Sequence, residues 1–138
     1  MASPRYILDT GPLVAFANVA DSHHSWARQV LNSLGEPPVT CEIVLAEACY
    51  LLATSSRAVD LVLALPARGQ VRLAPVLSGD SDHVRAAVAK YWPEMDVADG
   101  CVLRLNELFP GAKIITTDLR HFSTYRRQRN QPLSLIHP

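Results

Sequence analysis

Tyr6-Ile7-Leu8-Asp9-Thr10-Gly11-Pro12 is an apolar run that stops on a carboxylate and turns at once into a helix start. Arg5 to Leu8 reads as a buried strand, because a short continuous apolar segment fits a strand covered on both faces. Pro12 suits a first helical turn, and Leu13, Phe16 and Ala17 then recur at helical spacing. The same order returns late in the chain. Lys113-Ile114-Ile115-Thr116-Thr117 is a second buried strand, and Asp118 follows it.

Between these two segments, strand and helix patterns alternate. Asp21-Ser22 is placed to cap a helix from His23 to Leu34, with Trp26, Val30, Leu31 and Leu34 inward and Gly35 as its stop. Val39-Thr40 is a short strand, and a helix from Glu42 to Ala53 follows. Arg57 to Leu65 is helical and closes near Pro66; Val71 to Leu73 is a strand. Ser78 to Tyr91 is amphipathic, with Val84, Ala87, Val88 and Tyr91 on one side. Asp96 caps a helix that reaches Leu108, Arg120 to Tyr125 is briefly helical, and Leu133 to Ile136 is a closing strand. Alternation of this kind predicts an α/β fold, a mainly parallel sheet flanked by helices on both faces. Ligands of such sheets bind beyond the carboxyl ends of the strands, where both Asp9 and Asp118 stand.

The 138 residues fit one domain, 1–138, without repeat or linker. Hydrophobic content of 49% and charged content of 19% exclude a disordered tail. Net charge is zero, so a polyanion must be met by a local patch or a bound cation. No apolar run approaches a membrane span, and the N-terminus lacks a signal-peptide pattern, so a cytoplasmic protein is expected. Cys41, Cys49 and Cys101 are odd in number and have no metal-site spacing, which predicts reduced core thiols.

Two further acids interrupt apolar patterns. Glu47 lies between Ile43-Val44-Leu45-Ala46 and Ala48-Cys49-Tyr50-Leu51-Leu52, and Asp99 precedes Cys101-Val102-Leu103. Carboxylates are rarely buried unless paired or bound to metal. Asp9, Glu47, Asp99 and Asp118 together therefore suggest a site for a divalent cation. Asp96 is either an extra ligand or only a helix cap that accepts an amide near Asp99. Thr10 and Thr116 are either hydroxyls that orient a carboxylate or ordinary turn and strand hydroxyls. His23 and His24 are neighbours on a helix, so they point apart and are no ligand pair; a surface or interface role is expected for them. No motif positions a His or Lys as general base.

Ile7-Leu8-Asp9-Thr10, Val44-Leu45-Ala46-Glu47, Met95-Asp96-Val97-Ala98-Asp99 and Ile115-Thr116-Thr117-Asp118-Leu119-Arg120-His121-Phe122 resemble, in order, the motifs of PIN-domain nucleases. The likeness is greatest to VapC-type toxins of toxin–antitoxin systems, and it runs from Tyr6 to Tyr125. The resemblance implies an α/β/α sandwich. It also implies an endoribonuclease dependent on Mg²⁺ or Mn²⁺, with Asp9, Glu47, Asp99 and Asp118 as successive acidic ligands and Asp96 as a frequent extra one. Hard cations of this kind take oxygen ligands, and Mg²⁺ keeps several waters. The resemblance further implies a homodimer and a small antitoxin protein, for which an apolar surface around Val14, Trp26 and Leu61 is the expected contact. The family's usual Asp-Ala is Asp99-Gly100 in this chain, which allows close approach of backbone or substrate.

From Lys113 to the end, Lys113, Arg120, Arg126, Arg127 and Arg129 face only Asp118. Arg120, Arg126 and Arg127 are candidate RNA-phosphate contacts, the alternative being a solvated basic face. Two other functions compete. A catalytically silent PIN-like protein-binding module would not need all four acids. An aspartyl-phosphate phosphatase would need a second Asp two residues after the first, and Gly11 stands there.

Overall fold

The computed structural model describes residues 3–138. Its strands are β1 (Tyr6–Leu8), β2 (Val39–Thr40), β3 (Arg72–Leu73), β4 (Lys113–Ile115), β5 (Arg126–Arg127), β6 (Gln131–Pro132) and β7 (Leu135–Ile136). Its helices are α1 (Thr10–Ala17), α2 (His24–Ser33), α3 (Glu42–Leu51), α4 (Ser56–Ala67), α5 (Leu77–Lys90), α6 (Val97–Leu108) and α7 (Leu119–Phe122). Five strands form one parallel sheet in the order β3-β2-β1-β4-β7, flanked by the helices; β5 and β6 form a separate antiparallel hairpin.

The sheet is parallel because every connection between its strands is a long crossover, mostly helical. Its centre is fully buried: Ile7, Leu8, Ile114 and Ile115 have no exposed surface. Ile7 pairs with Ile114 and Leu8 with Ile115, and the Asp9 amide extends this ladder by donating to Ile115 O at 3.0 Å. The first crossovers move the chain outward to β2 and β3. The later ones return it to the other side of β1. The strand order therefore reverses between β1 and β4, which opens a crevice at their carboxyl ends.

Helix α6 is the most buried helix and lies against the sheet, with Ala98, Gly100, Cys101, Val102, Leu103, Leu105 and Asn106 inward. Gly100 has a packing reason. A Cβ there would stand 3.1 Å from methyl groups of both Val84 and Val88, so its absence lets α5 approach α6. The close approach expected at this glycine is thus one of helix to helix.

Several boundaries differ from the pattern reading. Helix α4 continues through Pro66 to Ala67, because a proline in the last turn removes only one amide from the ladder; Gly69, at φ +72°, then turns the chain. The inward stripe of α2 is only half covered: Trp26, Val30 and Leu31 are partly exposed, and Ala27 and Leu34 are the buried residues. Asp21 Oδ1 accepts from the His23 amide at 2.8 Å, so α2 begins one residue later than expected. The hairpin β5–β6 has no apolar alternation to announce it. Cys41 and Cys101 are buried free thiols, whereas Cys49 is half-buried. Among the described residues no helix is long and apolar enough to cross a membrane.

Candidate metal centre

Asp9 occupies the step from β1 into α1, with extended backbone (φ −85°, ψ 171°) and a side chain that caps nothing. It is 5% exposed, and its Oδ2 accepts from Thr116 Oγ1 at 2.7 Å. Burial pushes its carboxyl up to about 6, against hydrogen bonds from Thr116 and the Thr10 amide; the negative charges of Asp118 and Asp96 add to the rise.

Asp118 stands at the matching step after β4. Its amide donates to Thr116 Oγ1 at 2.9 Å, so one buried hydroxyl joins Asp9 to the backbone of Asp118. The Asp118 carboxylate caps α7 by accepting from the His121 amide at 3.0 Å, and its Oδ2 lies 2.8 Å from His121 Nδ1. The His121 ring lies nearly parallel to the Tyr125 ring, with an interplanar angle of 10° and centroids 6.3 Å apart. Tyr125 Oη is 3.1 Å from Asp99 Oδ2 and 3.2 Å from Glu94 O, and donates between them. Burial, then the Asp99 charge, pushes the Tyr125 phenol up, so it remains a donor.

Asp99 projects from the first turn of α6. Burial, then the charges of Asp96 and Asp9, pushes its carboxyl up to about 7. Asp96 is the N-cap of that helix, its Oδ1 accepting from the Asp99 amide at 2.8 Å. Glu47 comes from α3, and its carboxyl is raised by burial first and by Asp96 next. The buried Thr10 Oγ1 approaches Glu47 closely enough to oppose that rise but short of a full hydrogen bond.

The four acids named from the sequence, with Asp96 and Thr10, line one hollow of about 380 Å³ at the carboxyl end of the sheet. Asp21, His23, Glu94 and His121 line it too, and among the described residues no Lys or Arg does. These four were not assigned to a site by pattern; only the position of His121, three residues after Asp118, hinted at proximity. His23 and His24 do point apart. His23 reaches the hollow, while His24 Nδ1 lies 2.7 Å from Ala15 O. Arg120 is exposed outside the hollow, and the Arg126 guanidinium donates to Ser123 O and Tyr125 O at 2.8 and 3.1 Å. Arg126 therefore secures a turn through Nη1. Gly11 also leaves no room for a second acid, since a Cβ there would stand 1.9 Å from Thr117 Oγ1.

Among the described residues, no three His, Cys, Asp or Glu side chains close around a common point at metal-binding distance. The carboxylates share the walls of the hollow without forming a tight cage. That arrangement fits a hard divalent ion that keeps several of its waters and takes only one or two carboxylates directly. The donor set is all oxygen among the acids, the carboxyls of Asp9 and Asp99 are raised by burial first and by neighbouring carboxylates next, and Thr10 Oγ1 is a buried oxygen without a partner.

The PIN domain family model matches residues 6–128. Ribonuclease VapC26 of Mycobacterium tuberculosis is 31% identical over 124 residues, covering 87% of this chain and 91% of that protein. The crystal structure of M. tuberculosis VapC20, described as a Sarcin-Ricin loop cleaving toxin, superposes with a TM-score of 0.72 at 20% identity, covering 79% of this chain and 86% of that one. VapBC2 from Rickettsia felis, solved bound to a DNA fragment from its promoter, gives 0.60 at 17% identity, covering 96% and 98% of the two chains.

Proposed function

The chain belongs to the PIN-domain family, and on that premise we propose that it is an endoribonuclease that hydrolyses RNA phosphodiesters at the acidic hollow. Asp9, Glu47, Asp99 and Asp118 hold Mg²⁺ or Mn²⁺, and Asp96 chiefly orients Asp99. The observation that carries this reading is the gathering of these acids, from four separate elements, at the crevice where the strand order reverses. A bound divalent ion lowers the pKa of water and neutralises charge developing on a phosphoryl group. The chain's own residues fix the geometry: Thr116 holds Asp9 against Asp118, Tyr125 holds Asp99, and His121 holds Asp118.

Biologically the enzyme is the toxin of a toxin–antitoxin pair. Support comes from the 31% identity to a VapC ribonuclease and from the fold shared with a VapBC assembly. A homodimer and an antitoxin both need apolar surface. Of the expected contact residues, Leu61 is exposed, whereas Val14 and Trp26 are partly covered; Val19 and Leu51, which line a hollow with Leu61, are among the other exposed apolar residues. Cleavage of a generic fluorescent RNA with Mn²⁺, compared with excess EDTA, tests the activity; equal cleavage in EDTA would sink the metal reading.

Thr116→Val keeps the shape and removes both hydroxyl bonds. Isothermal titration should find divalent affinity reduced by roughly ten- to a hundredfold, the usual cost of losing a group that orients a ligand. Unchanged affinity would mean that the hydroxyl serves only the strand end.

A further inference from the structure

The hollow poses an electrostatic problem for its substrate. Seven carboxylates line it, from Asp9, Asp21, Glu47, Glu94, Asp96, Asp99 and Asp118, and among the described residues no Lys or Arg in its walls offsets them. The chain carries no net positive charge to draw a polyanion in. Four cations meet in a second cleft of about 340 Å³, between α5, α6 and the β5–β6 hairpin. Lys90, Arg126, Arg127 and Arg129 line it with His83, and Glu107 is its one acid among the described residues. Glu107 is itself engaged, 3.5 Å from Arg104 Nη1.

Two packed tyrosines connect the two sites. Tyr125 Oη reaches Asp99 on the acidic side, and its ring packs on Tyr91 at 5.0 Å. Tyr91 Oη accepts from the Arg126 amide at 3.0 Å on the basic side, where Lys90 Nζ lies 5.2 Å from the Tyr91 ring centre. Among the described residues, Lys90, Arg127 and Arg129 have no carboxylate within ion-pair reach, whereas Arg5 and Arg85 each have one and Arg104 has two. Arg129 and Asn130 form the hairpin tip in left-handed conformation, at φ 61° and 57°. For arginine that conformation is unfavourable, yet it is retained beside the cleft.

We propose that this cleft is a phosphate-binding subsite for single-stranded RNA, in which Lys90, Arg127 and Arg129 hold backbone phosphates flanking the one in the acidic hollow. The inference rests on the ribonuclease reading and adds where the strand is anchored. Arg126 commits Nη1 to the turn carbonyls of Ser123 and Tyr125, which leaves its charge and its Nε and Nη2 donors for the cleft. Cations on the far side of the Tyr125–Tyr91 pair offset the repulsion a phosphodiester meets from the acids, and contacts to phosphate fix register without reading sequence.

The test uses Asp9→Asn protein as a non-cleaving binder and a fluorescein-labelled single-stranded RNA. Anisotropy is followed across salt concentrations, with a thermal melt on every variant. Lys90→Gln combined with Arg127→Gln should lower the slope of log affinity against log salt by about 0.7 for each phosphate that is no longer neutralised. The charge-keeping pair Lys90→Arg and Arg127→Lys should retain the slope. An undiminished slope in the Gln pair, with an intact melt, overturns the proposal. So does a poly-glutamate peptide that binds more tightly than the RNA and is released in the same variant, an outcome that assigns the cleft to an acidic polypeptide. Failure of the wild type to cleave any RNA with Mn²⁺ would instead remove the ribonuclease reading itself.

Discussion

Asp9→Asn cleaves RNA at roughly a hundredth of the wild-type rate or less with saturating Mn²⁺. The amide keeps the shape of the carboxylate and an acceptor for Thr116, so the fold and the strand end survive. What disappears is the negative oxygen at the centre of the hollow. A reacting group misplaced by about 1 Å can by itself cost a hundredfold. Asp118→Asn and Asp99→Asn should fall in the same class, because each removes one wall charge from the same hollow. Initial rates on a fluorescent RNA, with circular dichroism to verify folding, decide the matter. Wild-type rates in a folded Asp9→Asn protein would mean that the chemistry lies elsewhere.

The same substitution raises the melting temperature once divalent ions are removed. The folded Asp9 carboxyl titrates at about 6, against 3.8 for the ordinary group, with burial as the main cause. Each pH unit of that gap corresponds to about 1.4 kcal/mol, so the ionised side chain destabilises the metal-free fold by about 3 kcal/mol. The sign follows from proton binding. Well below 3.8 the carboxyl is protonated in both states and costs nothing. As pH rises through the window from 3.8 to about 6, the unfolded chain ionises first, and wild-type stability falls. At pH 8 in EDTA the Asn variant should therefore melt several degrees higher, and the difference should vanish below pH ~3. Adding Mg²⁺ should raise the wild type by mass action and the variant much less. A variant that melts below the wild type at pH 8 would mean that the buried charge is already compensated within the chain.

Much of this site was legible in the sequence because it breaks local rules. Asp9 and Asp118 end runs as apolar as Tyr6-Ile7-Leu8 and Ile114-Ile115, and a charge at such a boundary marks the carboxyl end of a buried strand. Glu47 interrupts an apolar helix, and Asp96 announces the start of α6 by ordinary capping chemistry. Tertiary proximity was not legible. Asp21 and Glu94 lie outside the helices and strands, in segments without periodicity. Tyr125 and His121 read as ordinary residues of a short helical stretch, and only the stacked geometry reveals that they brace two acids. Arg120, Arg126 and Arg127 were read together as candidate phosphate contacts, with a solvated basic face as the alternative. The fold divides them: Arg120 faces solvent, Arg126 holds a turn, and Arg127 meets Lys90 from a helix far away in sequence. The hairpin that makes this division has two-residue strands, too short for any period to emerge.

The hydrogen bond from Thr116 to Asp9 spans 107 residues of chain. Its consequence concerns the order of events during synthesis. A nascent chain carries Asp9, Glu47 and Asp99 before Thr116 and Asp118 leave the ribosome. Until β4 docks beside β1, Asp9 has no hydroxyl to hold it and the crevice has only one side. Closing so large a loop comes late, after local helices have formed. The messenger being translated therefore never meets more than three of the four acids until Asp118 emerges, and the hollow is assembled only when nearly all of the domain is out.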